Sequence, residues 1–400
     1  VEIFHRTSLA EELATFVLDD RLAPASSGLF LSARRRTGKS TFLRYDLEPE
    51  LLRRDAIVIY ADLWKERAKD PALVITQAIR AELERHDGVV VRLARLSGLE
   101  RVAVGGLAFS MDRVGLGGDV FLADALAALS DETRRMIVLI IDEAHHAQAT
   151  PQGIDVMYAL KAARDQLNMG PHHGLRIVAT GSSRDKLAVL VDWKDQAFFC
   201  APMQEFPPLG VDYLDWICGL APASAALTVD GLAPIFERAG HRPEWMHAGL
   251  MALERRKDWT PGHAHEVFAQ VVEARARARV HNLLGQVGLL SPLESAVLRV
   301  MAAQGQNFVP FWTRTMETYR MVIEVDDGNA SAEAIDLASV RQALETLKDK
   351  GFLWRSVHGS YALEEFGIKE ALEEGGLLTE STRRVTRMGR QPALSAGAIE

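Results

Sequence analysis

Through the first half of the chain, short apolar runs alternate with longer stretches of helical periodicity. Leu29-Phe30-Leu31, Ala56–Tyr60, Ile137–Ile141, Leu175–Ala179 and Ala197–Cys200 are each bounded by turn-forming or charged residues and predict five strands. Short continuous apolar runs suit strands buried on both faces, and their alternation with helices predicts a parallel sheet covered by helices. Val102, Val104, Leu107, Phe109 and Met111 flank Gly105-Gly106 and predict a small hairpin ahead of the third strand, or a contact between copies of the chain. After Phe206-Pro207-Pro208-Leu209-Gly210 the strand pattern stops and helical periodicity runs to about Val280. A boundary is therefore expected near residue 210, with an α/β domain over 1–210 and a helical domain over 211–285.

From Leu290 the pattern changes again. Helices are expected at Pro292–Ala303 and Phe311–Ile323, then an acidic loop at Asp326–Glu333 and a helix at Ala338–Lys350 stopped by Gly351. Phe352–Leu363 reads as two short strands around His358-Gly359, so residues 286–374 have the element order of a winged helix-turn-helix. Arg341, Gln342, Lys348 and Lys350 fall on its third helix and Arg355 and His358 on its wing, but Glu345 and Asp349 interleave with them. That mixed surface lacks the basic stripe that phosphate contacts demand, and leaves DNA and a protein partner both open. Arg275, Arg277 and Arg279 alternate around a helix and read as a solvated face, while residues 375–400 read as a polar, flexible tail.

Composition narrows the class. The 400 residues are 48% hydrophobic and 25% charged, enough to bury a core in more than one domain. A net charge of -8 argues against a wholly basic nucleic-acid binder. Cys200 and Cys218 form no metal cluster or redox pair and read as free thiols. The longest apolar runs, such as Met136–Ile141, are far short of the roughly 20 residues a membrane-spanning helix needs. With no secretory pattern in Val1–Glu12, a cytoplasmic location away from membranes is expected.

The first strand leads into Ser32-Ala33-Arg34-Arg35-Arg36-Thr37-Gly38-Lys39-Ser40-Thr41 and then a helical stretch. Strand, turn and helix in that order make a phosphate-binding loop. Backbone N–H groups from Ala33 to Thr41 would surround phosphate oxygens, Lys39 would reach the β and γ phosphates, and the Ser40 hydroxyl would hold Mg2+. Gly38 permits close backbone approach, whereas Ala33 stands where the full motif has its first glycine.

The strand Ile137–Ile141 delivers Asp142 and Glu143 to the carboxyl edge of the sheet, where ligands of open α/β sheets bind. Asp142 would join the Mg2+ shell and Glu143 would orient and polarise the attacking water. His145-His146 follow directly, but adjacent side chains seldom converge on one metal and no His-x-x-x-His spacing is nearby. They read as the Asp-Glu-Ala-His form of the acidic strand end. His172-His173 sit in a Pro/Gly loop and are expected to face solvent.

A strand between the loop strand and the acidic strand, with a glutamate beside the metal aspartate, marks the additional-strand catalytic-glutamate division of P-loop enzymes. The chain resembles AAA+ and STAND ATPases, particularly the archaeal-type ATPases related to origin-recognition proteins, from Phe4 to about Leu372. The resemblance implies a three-layer P-loop NTPase sandwich with strand order 5-1-4-3-2, followed by a helical lid and the winged helix-turn-helix. It implies binding and hydrolysis of ATP with Mg2+. Phe4-His5-Arg6 corresponds to the segment beside the adenine, with His5 in place of glycine, although Phe4 also suits a hydrophobic staple. Thr180-Gly181-Ser182-Ser183-Arg184 resembles the sensor-one segment. Either Ser182 or Thr180 would meet the γ phosphate or the water, or one of them would cap the following helix. Arg184 would neutralise the γ phosphate within the subunit or from a neighbour, with Arg164 as a second candidate or a surface ion pair. Gly240-His241-Arg242-Pro243 resembles the sensor-two element with one residue of difference, a resemblance that would give Arg242 the role of phosphate sensor.

Three activities fit this pattern. One is an ATP-driven switch or motor subunit that self-associates. A second is a nucleotide-regulated DNA-binding adaptor with little turnover. A third is a mobile-element or defence ATPase acting with a separate effector protein.

Overall fold

The computed structural model describes residues 2–19, 28–33, 36–65, 69–89, 121–192, 194–221, 224, 226–256, 260–327, 335–355, 360–364 and 366–378. Arg34, Arg35, the expected hairpin over Val102–Met111, His358 at the wing and the tail from 379 onward lie outside these residues, as does most of the acidic loop. The chain divides into two compact units, the first being Val1–Pro208 and the second holding most of the residues from Leu209 onward.

In the first unit, β1 (Leu29–Ser32), β2 (Ile57–Asp62), β3 (Ile137–Asp142), β4 (Leu175–Gly181) and β5 (Met203–Glu205) form one sheet in the order β2-β3-β4-β1-β5. Every pairing is parallel. Read from the other edge, this is the 5-1-4-3-2 order that the resemblance implies. Strand alternation sorts the core into two faces. Phe30, Ile59, Leu139, Ile141 and Ile177 pack with helices Pro71–Leu83, Leu122–Thr133 and Pro151–Met169. Leu29, Leu31, Val58, Val138, Ile140 and Val178 pack with helix Thr7–Leu18 and with the helical segment beyond the phosphate loop. The result is an α/β three-layer sandwich with β3 and β4 buried along their whole length.

One expected strand is misplaced. Ala197–Cys200 is a run of turns, in which the Cys200 N–H donates to the Val191 carbonyl and Ala201 N–H to that of Phe198. Its apolar character comes from core packing, since the Phe198 ring lies 5.4 Å from that of Phe30. The last strand is Met-Gln-Glu at 203–205, which is polar because it closes the sheet edge and pairs with β1.

The second unit opens with helices Val211–Gly219, Val229–Arg238, Pro243–Arg255 and Ala264–Val287. Arg275 and Arg277 are exposed on the last of these, as a solvated face requires, and Arg279 is half-buried. Helices Pro292–Gln304, Thr313–Asp327 and Leu337–Asp349 follow, then the antiparallel pair β6 (Leu353–Arg355) and β7 (Tyr361–Leu363) and helix Phe366–Glu374. Capping boxes start two of these helices at Ser291 and Asp336, and Gly351 with φ 75° ends the third, as only glycine does without strain. Val297, Met301, Tyr319, Leu344, Leu347, Leu353 and Leu372 share one core.

Candidate active site

The residues that the sequence singles out for chemistry meet at the carboxyl ends of β1, β3 and β4. Beyond β1, Arg36 (φ 65°) and Gly38 (φ 85°) take the left-handed backbone that turns the loop into the helix starting at Lys39. A Cβ on Gly38 would meet nothing within 4 Å, so backbone hand rather than crowding selects glycine there. Ala33 is not among the left-handed residues, and its N–H donates to the Gly181 carbonyl at 2.9 Å. Its backbone therefore tolerates an alanine at the place of the motif's first glycine. Thr37 is buried, Ser40 and Thr41 stand at the surface or are exposed, and the helix continues through a π-helical turn, Leu43–Leu47, into Glu48–Arg53.

Lys39 is 5% exposed, and its Nζ donates to Asp142 Oδ1 at 2.5 Å, Glu143 Oε1 at 2.8 Å and Thr180 Oγ1 at 3.0 Å. The Ser40 hydroxyl donates to Asp142 Oδ2 at 2.6 Å and the Thr180 hydroxyl to Asp142 Oδ1 at 2.5 Å. Two consecutive residues of a strand point to opposite faces, yet both carboxylates reach one ammonium. The backbone explains this: β3 stops at Asp142, and Glu143 is left-handed with φ 58° and ψ 42°. That region is sparsely populated by non-glycine residues, and such strain concentrates at functional sites. Glu143 Oε2 also accepts from the Ser182 backbone N–H at 2.9 Å.

The electrostatics follow from this packing. Burial works against the Lys39 charge, but the carboxylates of Glu143 and Asp142 outweigh it and lift the ammonium above its ordinary value. Burial likewise pushes Asp142 up, and the Lys39 charge with hydrogen bonds from Lys39, Ser40 and Thr180 overcomes it and holds the carboxyl at about 2. Both groups are therefore ionised at neutral pH. The oxygens of Ser40 and Asp142 are the hard donors that Mg2+ prefers, and they touch each other at 2.6 Å. They fit such an ion.

The sensor segment separates its two candidate residues. Thr180 is wholly buried and hydrogen-bonded into the cluster through its hydroxyl, whereas Ser182 reaches Glu143 through its backbone N–H. Neither caps the next helix. Ser183 does so, accepting from the Lys186 N–H at 3.5 Å, and Arg184 is the exposed first residue of that helix, Arg184–Ala188. Arg164 pairs with Asp165 at 2.7 Å and lies over the Phe198 ring, so its guanidinium is held within its own unit. At the N-terminal segment, Phe4 is half-buried. The Arg6 N–H donates to Asp46, and its guanidinium donates to the carbonyls of Pro207 and Pro208 over the Phe206 ring. Arg242 belongs to the second unit, where it precedes helix Pro243–Arg255 and lies buried with its guanidinium 4.9 Å from the Trp245 ring centre.

Sequence spacing argues against His145 and His146 sharing a metal, but the tight 3-10 turn Ala144–Ala149 brings donor atoms of Glu143, His145 and His146 within 4.8 Å of one another. That turn exists because Gly153 lets helix Pro151–Met169 close on it; a Cβ at Gly153 would sit 2.2 Å from the Ala147 carbonyl oxygen. Here the Lys39 ammonium already holds the cationic position beside Glu143, and His145 Nδ1 lies 3.3 Å from Glu143 Oε2 as a further neighbour of that carboxylate. His172 also departs from the solvent-facing expectation: it is half-buried and pairs with Asp131 at 2.7 Å, while His173 is exposed. Tyr60 is the site residue that sequence reading misses. Its hydroxyl donates to Asp142 Oδ2 at 3.0 Å, and the visible signal was an aromatic two residues before the end of the strand adjoining β3.

No protein-family model matches the chain, and no curated protein matches it. Solved structures do match. ORC2 of Aeropyrum pernix in its ADP form is 14% identical over 97% of this chain and 95% of that chain, with a TM-score of 0.52. A Walker-type ATPase of Pyrococcus abyssi is 16% identical over 93% of this chain and 96% of that one, with a TM-score of 0.48. ORC1 of Aeropyrum pernix in complex with DNA is 16% identical, covering 94% of each chain, with a TM-score of 0.41. At such identities the likeness is one of fold alone, and the ORC2 comparison carries it: the α/β unit is a P-loop NTPase three-layer sandwich.

Proposed function

We propose that the chain is an ATPase whose phosphate loop is residues 33–41, with hydrolysis by water that Glu143 polarises. The observation that carries this reading is the convergence of Asp142, Glu143 and Thr180 on the Lys39 ammonium, with Ser40 bonded to Asp142. A chance Gly-Lys-Ser in a strand-turn-helix would have no reason to gather two carboxylates from the neighbouring strand. Lys39 binds the β and γ phosphates, leaving its carboxylate partners as the phosphate oxygens replace them. Ser40 and Asp142 would hold Mg2+, which would supply charge neutralisation on the phosphates. Glu143, fixed by the Ser182 N–H, orients the water. Thr180 is the polar sensor of β4 and Arg184 the exposed cation offered to the γ phosphate, in its own subunit or in a neighbour.

The remaining assignments complete this reading. Phe4 and Arg6 flank the base, residues 211–285 form a lid carrying Arg242, and 286–374 form a winged helix-turn-helix, with 375–400 as a tail. Nucleotide binding would then be coupled to self-association and to a DNA or protein partner, through a switch or motor cycle in the cytoplasm. The nucleotide-regulated adaptor with little turnover is the second reading. Its partner-binding element would be the winged unit, where Glu345 pairs with both Lys348 and Arg355 and Lys350 pairs with Glu294.

Steady-state ATP hydrolysis by the wild type and Glu143→Gln, with and without duplex DNA, separates the two. Loss of a general base lowers turnover by about 10²–10⁴-fold while nucleotide binding persists. A wild type that binds ATP but never hydrolyses it would sink the motor reading and leave the adaptor.

A further inference from the structure

Among the described residues, the Asp142 carboxylate accepts four hydrogen bonds, and three of them come from groups with other work. Lys39 and Ser40 belong to phosphate and metal, and Thr180 to the sensor strand. The fourth donor is the Tyr60 hydroxyl, from the neighbouring strand β2, on the same oxygen that accepts from Ser40.

Tyr60 is built to hold that bond. It lies two register positions before the Asp62–Asp142 pair, on the same face of β2 as Asp62, so β2 and β3 fix its distance from the carboxylate. Its ring is clamped from outside by Arg44, whose guanidinium carbon lies 3.9 Å from the ring centre and whose other contact is Asp62 at 3.7 Å. Arg44 reaches that place from the π-helical turn Leu43–Leu47, directly beyond the phosphate-loop helix. The loop, the acidic strand and the intervening strand are thereby joined through one side chain.

We infer that Tyr60 is a positioning residue for the metal aspartate: its hydroxyl holds Asp142 Oδ2 oriented toward the Ser40 hydroxyl when Lys39 turns to phosphate. The inference rests on the ATPase reading of the site. A donor behind a metal-binding carboxylate fixes its rotamer and limits the entropy lost on ion binding, and removing such partners weakens metal affinity by about 10–100-fold.

The test uses the full chain and a fluorescent ADP analogue, with binding measured in EDTA and across a Mg2+ series. Tyr60→Phe deletes only the hydroxyl. The expected result is nucleotide affinity in EDTA equal to wild type, with the Mg2+ concentration for half-maximal tightening raised about tenfold. An unchanged Mg2+ dependence overturns the inference. So does a parallel loss of affinity in EDTA and in Mg2+, because Tyr60 would then support the loop rather than the aspartate. Ser40→Ala separates this from the underlying reading. If Ser40→Ala abolishes the Mg2+ effect while Tyr60→Phe does not, the site stands and Tyr60 has no part in it. If neither variant alters the Mg2+ effect, the P-loop reading itself fails.

Discussion

Replacing Lys39 with methionine keeps the volume of the side chain and removes its charge. Asp142, 1% exposed, then keeps its hydroxyl donors but loses its counter-charge, and Glu143 loses the same partner. Breaking a buried ion pair from one side destabilises by about 3–5 kcal/mol, since the remaining charge stays desolvated. For a unit of this size each kcal/mol shifts the melting temperature by about 2–4 °C, so a fall of about 6–20 °C is expected at pH 7 without added nucleotide. Acid should narrow the gap. In the wild type the depressed Asp142 value, about 2, contributes stability that is full above the ordinary carboxylate range and lost as pH falls toward that value. In the variant burial acts without Lys39, the carboxyl value rises, and protonation relieves the strain already at mildly acidic pH. Scanning calorimetry from pH 7 to pH 4 measures both effects. The double variant Lys39→Met/Asp142→Asn should recover part of the loss, because coupled sites are not additive. A melting temperature within about 2 °C of wild type at pH 7, or a gap that widens in acid, would refute the reasoning.

Three further outcomes follow from the same geometry. Thr180→Val removes a hydroxyl that both accepts from Lys39 and donates to Asp142, and should slow ATP turnover at least tenfold at a stability loss of about 1–3 kcal/mol, whereas Ser182→Ala, which leaves the backbone N–H on Glu143, should change turnover less than twofold. Gly38→Ala has steric room but takes a left-handed backbone, costing about 1–2 kcal/mol, and should weaken nucleotide binding by roughly tenfold in equilibrium titration. Glu345→Gln releases Lys348 and Arg355; if the helices and hairpin from Pro292 to Leu363 contact DNA, the slope of log affinity against log salt should steepen by about one to two phosphates' worth, and an unchanged slope favours a protein partner.

The sheet was legible because its strands are continuous apolar runs, and the loop and acidic edge because Gly38-Lys39-Ser40 and Asp142-Glu143 occur in the order the fold requires. Legibility failed where local composition and tertiary role part company. Phe198 is apolar for the core and not for a ladder, while Met203–Glu205 is polar and pairs at an edge. The same limit hid Tyr60, whose contact with Asp142 lies 82 residues away in sequence. The choice between Thr180 and Ser182 depended on which side chain β4 turns toward Lys39. The compact turn bringing His145 beside Glu143 depended on a glycine at 153 that no local pattern marks.

The left-handed backbone at Glu143 sets two selective pressures against each other. Glycine, asparagine and aspartate adopt that conformation more readily than glutamate, so the folded chain carries about 1–2 kcal/mol there that a different residue would return. None of them supplies a carboxylate of the same reach. Breeding for heat resistance alone, with no demand for turnover, would press on position 143, and the chemistry would be the first thing surrendered.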